Sequence, residues 1–278
     1  MTLKSHTTQA SLEIMEDRST VTVRALSPLQ TPDGLRGLLQ KPGVSGGWKS
    51  TEHVFLSVPS LAKKHWLQAH PFTIASRAPS ESQPDACLEL IIRAQDGFSN
   101  DILQYAKGHT HTTVRLDGPY GSQSSVRMLR DSDLAVVISG GSGIAVGRPL
   151  VWSVLDSQSK IHMEAQPEVS SLKKILLIWV VRHQSHRSWI SQDEIRNLRQ
   201  YGVDVVIPPP TETHGHPSIH EYVTNWIGSH GAGILSSPQE VGIVCSGPDG
   251  MNRGVRNLAS ALISKGHQIS VEIEKFGW

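Results

Sequence analysis

Several short stretches of this chain set glycine or proline beside residues that can hold a phosphate or a flat ring. Gly140-Gly141-Ser142-Gly143-Ile144 stands between the apolar run Leu134–Ile138 and a helix-like run, Ala145–Leu155. Glycines at such a junction let backbone N–H groups approach a pyrophosphate at a helix N-terminus, where aligned peptide dipoles favour an anion. The spacing departs from G-x-G-x-x-G, and a purely structural strand-to-helix turn is the competing reading. Cys245-Ser246-Gly247-Pro248-Asp249-Gly250-Met251 follows another apolar run, Val241–Val244. In open α/β sheets ligands gather at the carboxyl ends of the strands, so a dinucleotide could lie across both turns. Cys245 alone reads as a small buried hydrophobe.

Other candidates are more dispersed. His70-Pro71-Phe72-Thr73-Ile74-Ala75-Ser76 combines rings, hydroxyls and a proline that biases His70 away from helix. An extended turn with those groups could hold a flat, hydrogen-bonding ligand; the alternative is a barrel turn whose Phe72 is core. Arg93 closes the strand-like Cys87–Arg93 and reads as a phosphate partner or a surface charge. Arg182 and His183 follow the apolar run Ile175–Val181, where a nucleotide-binding sheet usually meets the adenosine ribose. An arginine there accommodates a 2′-phosphate, whereas an acidic residue favours a free hydroxyl. His109 with His111, and His214 with His216 and His220, have spacings that can bind zinc. Both lie in loop-like stretches with few carboxylates, and no metal site is expected.

The elements that must position these residues change character along the chain. Residues 1–10 are polar and read as a disordered N-terminus. Residues 11–122 hold strand-like segments (Ala10–Met15, Thr20–Ala25, His53–Val58, Cys87–Arg93, Thr113–Leu116) separated by Gly/Pro-rich turns. That pattern predicts a small antiparallel β-barrel, with one short helix in Gly97–Lys107. Residues 123–278 alternate apolar strands with helical runs, which predicts an α/β domain built on a parallel sheet. Asp156–Ser171 and Pro208–His220 read as loops.

Bulk properties exclude some classes. The chain has 278 residues, 38% hydrophobic and 18% charged, which suits folded cores. A formal net charge of +1 gives no electrostatic footprint for nucleic acid. The 2 cysteines make no disulfide framework. Ile175–Val181 is far shorter than the roughly 20 apolar residues of a spanning helix, so a soluble, cytoplasmic chain is expected.

With these residues in view, the chain from about Ser11 to Trp278 resembles the cytosolic reductase module of the ferric reductase and NADPH oxidase family. That module belongs to the ferredoxin–NADP reductase superfamily. His70–Ser76 resembles the family's flavin loop, and Ile92-Arg93 its second flavin segment. Asp117-Gly118-Pro119-Tyr120-Gly121 resembles its inter-domain joint, and Ser139–Ile144 its nicotinamide-nucleotide turn. Trp179–Arg182 and the ending Glu274–Trp278 are similar to the fungal metalloreductase pattern. The sequence departs from that pattern at Lys49–His53, at the inserted Ser246 and at Arg148. The family's membrane helices and haem-ligating histidines are not in this chain.

The resemblance implies FAD and NADPH as cofactors. It implies hydride transfer from NADPH to FAD, then single electrons to a ferric chelate or to a haem in a membrane cytochrome b part. Cys245 would lie near the nicotinamide; Phe276 or Trp278 would cover the flavin; Thr73 would bond the flavin region and Arg93 its phosphates. The remaining cofactor contacts are expected from Gly140, Gly141, Ser142, Gly143, Ile144, Arg182, Ser246, Gly247, Pro248 and Met251. The alternatives are a superoxide-producing NADPH oxidase module and a catalytically degenerate module for interaction or nucleotide sensing. As part of a full ferric reductase the chain would sit at the cytosolic face of a membrane.

Overall fold

The computed structural model describes residues 5–25, 43–61, 65, 68–79, 87–164, 173–230 and 240–274. The chain divides into two compact units, Met1–Gln123 and Ser124–Trp278.

The first unit is an antiparallel six-stranded sheet, ordered β4-β3-β6-β1-β2-β5. Its strands are β1 (Ser5–Ile14), β2 (Thr20–Ala25), β3 (His53–Ser57), β4 (His70–Thr73), β5 (Leu88–Arg93) and β6 (His111–Tyr120). The edge strands β4 and β5 approach each other, so the sheet nearly closes into a barrel. Alternate side chains fill its interior: Leu12, Val21, Val23, Val54, Leu56, Leu90, Ile92, Val114 and Leu116 are all buried. Helix α1 (Phe98–Ala106) adds Phe98, Ile102 and Leu103 to this core.

The second unit is a parallel five-stranded sheet, ordered β11-β10-β7-β8-β9. It comprises β7 (Leu134–Gly140), β8 (Lys174–Val180), β9 (Val203–Val206), β10 (Glu240–Ser246) and β11 (Gln268–Ile273). Its helices are α2 (Ser124–Asp131), α3 (Ile144–Glu164), α4 (Gln192–Gln200), α5 (Thr211–His214), α6 (Ile219–His230) and α7 (Asp249–Ser264). β7 is buried along its whole length, as expected for a strand covered on both faces. Chain order runs outward from β7 through β8 to β9 on one side; β10 and β11 lie on the other. The topological switch point therefore lies between β7 and β10.

Three expectations are corrected. Pro208–His220 is not a loop throughout: α5 occupies Thr211–His214, and α6 starts at Ile219. Residues 5–10 are not disordered: they form the start of β1, which pairs with β6 from Ser5↔Asp117 onward. Backbone pairing with a partner about a hundred positions away orders a stretch whose own composition is polar. Asp156–Ser171 is not a loop through Glu164, because α3 continues that far; residues 165–172 lie outside the described residues. α2 went unread because its eight residues carry few apolar side chains, although Val126 and Leu129 are buried at helical spacing.

Arg148, a departure from the family pattern, is explained by packing. It is 6% exposed, and its guanidinium lies 3.4 Å from Oε2 of Glu194. Trp152 donates to Oε1 of the same carboxylate at 3.1 Å. Ser191 caps α4 by accepting the Glu194 N–H, so the glutamate begins α4 while its side chain is bonded to α3. No helix among the described residues is long and apolar enough to cross a membrane.

Candidate functional site

The seven residues His70–Ser76 divide by strand geometry. His70–Thr73 form β4, an edge strand rather than the extended turn expected, and all four are half-buried. Successive side chains alternate between faces. His70 stacks on Phe98 with centroids 4.2 Å apart, and Phe72 lies 6.1 Å from the same ring, packed against the barrel core. Pro71 and Thr73 occupy the opposite face, across from Phe55 and His53. Ile74 and Ala75 are buried, with their N–H groups bonded to the carbonyls of Glu52 and Glu89. Ser76 accepts the Glu89 N–H at 3.1 Å. Ile74–Ser76 thus fix the exit of the strand, and Pro71 and Thr73 face away from the core.

That outer face was not anticipated. His53, Phe55 and Tyr120 cluster on it with ring centroids 5.6–6.0 Å apart. A register shift opposite His53 and Phe55 puts Asp117 and Tyr120 on that side, where the Tyr120 hydroxyl donates to Asp117 at 3.0 Å. The Gly118–Pro119 peptide between them is cis. Desolvation holds His53 below the usual imidazole range, against a weaker opposing pull from Glu52. It holds His70 low as well, with His65 pushing the same way. The rings of His53, Phe55 and Tyr120 present a flat surface beside the Asp117 carboxyl, with Thr73 paired opposite His53. The lead-in Lys49–His53 is held by the Lys49 N–H on Glu52 at 2.7 Å and by Thr51 on the Ser122 carbonyl at 2.7 Å. Arg93 is exposed at the end of β5, paired with Thr20 of β2.

In the second unit, the glycine turn and the Cys245 turn meet at the switch point. Ser139 and Ser246 are register partners on β7 and β10. A Cβ on Gly143 would lie 2.1 Å from the Ser246 carbonyl oxygen. One on Gly140 would lie 2.8 Å from Pro248 Cδ, and one on Gly247 would lie 2.7 Å from Met251 Sδ. Close backbone approach requires Gly143, whereas Gly140 and Gly247 are crowded by the side chains of Pro248 and Met251. Gly141 differs: its φ of +53° needs a glycine, but nothing crowds its missing side chain. Trp179 donates to the Gly141 carbonyl at 3.1 Å, tying the turn to β8. Gly141 and Ser142 are half-buried at the start of the long helix α3, while Ile144 is buried. The buried hydroxyls of Ser139 and Ser246 find no hydrogen-bond partner among the described residues. The Ser139 hydroxyl lies against Gly147 within α3, and that of Ser246 beside Gly143.

Cys245 is fully buried, and its thiol donates to Asn252 Oδ1 at 3.3 Å. Burial pushes it up to about 12 from an ordinary 9.0, and Arg256 pulls weakly the other way. A thiol so placed is neutral at physiological pH, which removes a thiolate nucleophile from the chemistry. Arg182 is exposed just past β8, and its carbonyl accepts the Glu212 N–H at 3.1 Å. His183 Nδ1 lies 2.5 Å from Glu212 Oε2, a carboxylate at this strand end that the local sequence around Arg182 does not reveal. Phe276 and Trp278 lie outside the described residues.

Comparison with known proteins first gives the class. Residues 22–124 match the FAD-binding domain family, and the fold is ferredoxin–NADP reductase-like. A ferredoxin NADP+ reductase from Neisseria gonorrhoeae with bound FAD and NADP superposes with a TM-score of 0.57 at 17% identity. That superposition covers 96% of this chain and 98% of the neighbour. More particularly, the chain is similar to ferric reductases. It is 32% identical over 160 residues to ferric/cupric reductase transmembrane component 7 of Saccharomyces cerevisiae, covering 56% of this chain and 22% of the relative. It is 28% identical over 164 residues to a probable ferric reductase transmembrane component of Candida albicans, covering 58% and 22%. The chain thus spans about a fifth of the length of these relatives. The likeness supports a ferric-reductase-type flavin and nucleotide module.

Two outcomes follow from the site's geometry. Gly143→Ala drives a Cβ into backbone and is expected to destabilise the second unit by about 3 kcal/mol or more. Gly141→Ala meets only the left-handed penalty of about 1–2 kcal/mol. Urea unfolding of the two variants should keep that order, and the reverse order would contradict the packing described. For Cys245, the thiol ionises in the unfolded chain well before it does in the folded one. Its contribution to stability is therefore complete below about pH 9 and is lost as pH rises toward the folded value. Unfolding free energy should fall from about pH 8.5 to 10.5, with a shallower fall in Cys245→Ala; equal slopes would refute the assigned shift.

Proposed function

We propose that this chain is a flavin reductase that passes a hydride from NADPH to FAD and then single electrons to a ferric or haem acceptor. One observation carries the reading: an FAD-binding domain match over residues 22–124 precedes a parallel sheet whose switch point is lined by two glycine-bearing turns. FAD, when bound, supplies a ring that takes two electrons together and releases them one at a time.

The chain's own residues would bind and orient. Thr73 and Pro71, with the rings of His53, Phe55 and Tyr120, would hold the flat flavin, and Arg93 would neutralise its phosphates. The N-terminus of α3, with Gly140–Gly143, would receive the nucleotide's pyrophosphate. Cys245, Ser246, Gly247, Pro248 and Met251 would shape the floor of the nicotinamide end. No protein nucleophile is called for, in keeping with a neutral thiol at Cys245. Arg182 would meet the 2′-phosphate of NADPH. The relatives are named as ferric reductase transmembrane components, which supports a membrane-held acceptor beside a soluble ferric chelate; the haem itself is implied by the family resemblance.

A degenerate module is the second reading. The altered Lys49–His53 entry and Arg148 motivate it; Arg148 is buried on Glu194, and the entry is held by the Lys49 N–H on Glu52 and by Thr51 on the Ser122 carbonyl.

The test is reduction of a ferric chelate by FAD-reconstituted protein, followed with a ferrous-specific chelator and driven by NADPH or NADH. Faster turnover with NADPH is expected. Arg182→Ala should raise the KM for NADPH about tenfold or more, the cost of one charge-assisted hydrogen bond, and leave NADH unchanged. A preference for NADH that Arg182→Ala does not alter would overturn the NADPH assignment and favour Glu212 as a ribose acceptor.

A further inference from the structure

Asn252 touches the Cys245 turn three times. Its backbone N–H donates to the Pro248 carbonyl at 3.0 Å, which begins the hydrogen bonding of α7. Its side-chain Nδ2 donates to the Gly247 carbonyl at 2.7 Å. Its Oδ1 accepts from Cys245 Sγ at 3.3 Å. The residue is 3% exposed, so all three bonds lie in a region where an unmet polar group is costly.

The order of these bonds is fixed by chemistry. A carbonyl only accepts, so the amide must turn its NH2 toward Gly247. Oδ1 then faces Cys245 and obliges the thiol to donate. The S–H is thereby directed into α7, within the buried core beneath the turn. Gly247 is closely packed, since a Cβ there would lie 2.7 Å from Met251 Sδ and 3.3 Å from Gly140. The turn is therefore pinned by Asn252 on one side and by the glycine turn on the other.

We infer that Asn252 is a positioning residue for the nicotinamide end of the site: it sets the Cys245–Pro248 turn and the direction of the Cys245 S–H through one relay. This rests on the reading of the chain as an NADPH-dependent flavin reductase. It assigns Asn252 no contact with substrate. Nothing in the relay bears on the adenosine end, which belongs to Arg182 at the end of β8.

The experiment compares wild type, Asn252→Ala and the isosteric Asn252→Asp. Infrared difference spectra against Cys245→Ala isolate the Cys245 S–H stretch and need no cofactor. The stretch should move to higher wavenumber in Asn252→Ala as the hydrogen bond is lost; an unmoved band overturns the relay. In anaerobic rapid mixing, Asn252→Ala should lower the limiting rate of flavin reduction by NADPH about tenfold, the loss of roughly one well-placed hydrogen bond. Affinity for 2′,5′-ADP, which lacks the nicotinamide, should stay the same. Asn252→Asp should recover rate as pH falls, because a protonated carboxyl again donates to Gly247. Equal losses in rate and in 2′,5′-ADP affinity, or no acid recovery, would reduce Asn252 to a fold residue. A wild-type protein whose flavin NADPH never reduces would sink the functional reading and the positioning role together, while the infrared result still decides the relay.

Discussion

The close approach of two backbone turns at the carboxyl edge of the parallel sheet is the constraint on which the second unit depends. β7 and β10 are neighbours in space but distant in chain order, so the turns that leave them diverge in opposite directions and open a crevice. That crevice stays narrow because Gly143 leaves room for the Ser246 carbonyl and Gly140 leaves room for Pro248. Any side chain at either position would force the turns apart. The start of α3, the start of α7 and the depth of Cys245 all inherit their positions from this contact. A single steric condition thus fixes where the N–H groups at the start of α3 and the buried thiol stand.

The first unit solves a different problem. Its barrel must bury one side chain in two along every strand, and the remaining positions are available for binding. At the edge strand β4 this alternation divides a four-residue motif, placing His70 and Phe72 toward α1 and Pro71 and Thr73 outward. The reading of Phe72 is thereby separated from that of Thr73: the phenyl ring is packing, and the hydroxyl lies on the opposite face of the strand. Neutral imidazoles at His53 and His70 follow from desolvation, which disfavours the charged ring.

The two-unit architecture was legible because its signals are local. Continuous apolar strands such as Leu134–Ile138 and Ile175–Val181 can only be buried on both faces, and glycines after them mark the turns. What escaped was set by partners far along the chain. Polar β1 residues are ordered by β6, β4 is a strand because β3 pairs with it, and α2 carries too few apolar residues to announce itself. Among candidate site residues, the glycine turn and the Cys245 turn stand together at the switch point as their spacing implied. His53, Phe55 and Tyr120 escaped because a register shift brings them onto one face, and sequence spacing does not show register. Asn252 escaped because an asparagine in the first turn of a helix is ordinarily read as surface.

The central proposal is that this chain passes a hydride from NADPH to a bound flavin. The most direct measurement is anaerobic stopped-flow absorbance of the oxidised-flavin band after FAD-reconstituted protein is mixed with NADPH, and separately with NADH. The account predicts stoichiometric FAD uptake and bleaching by NADPH that is faster than by NADH. Failure to take up FAD, or bound FAD that neither nucleotide bleaches, would contradict it.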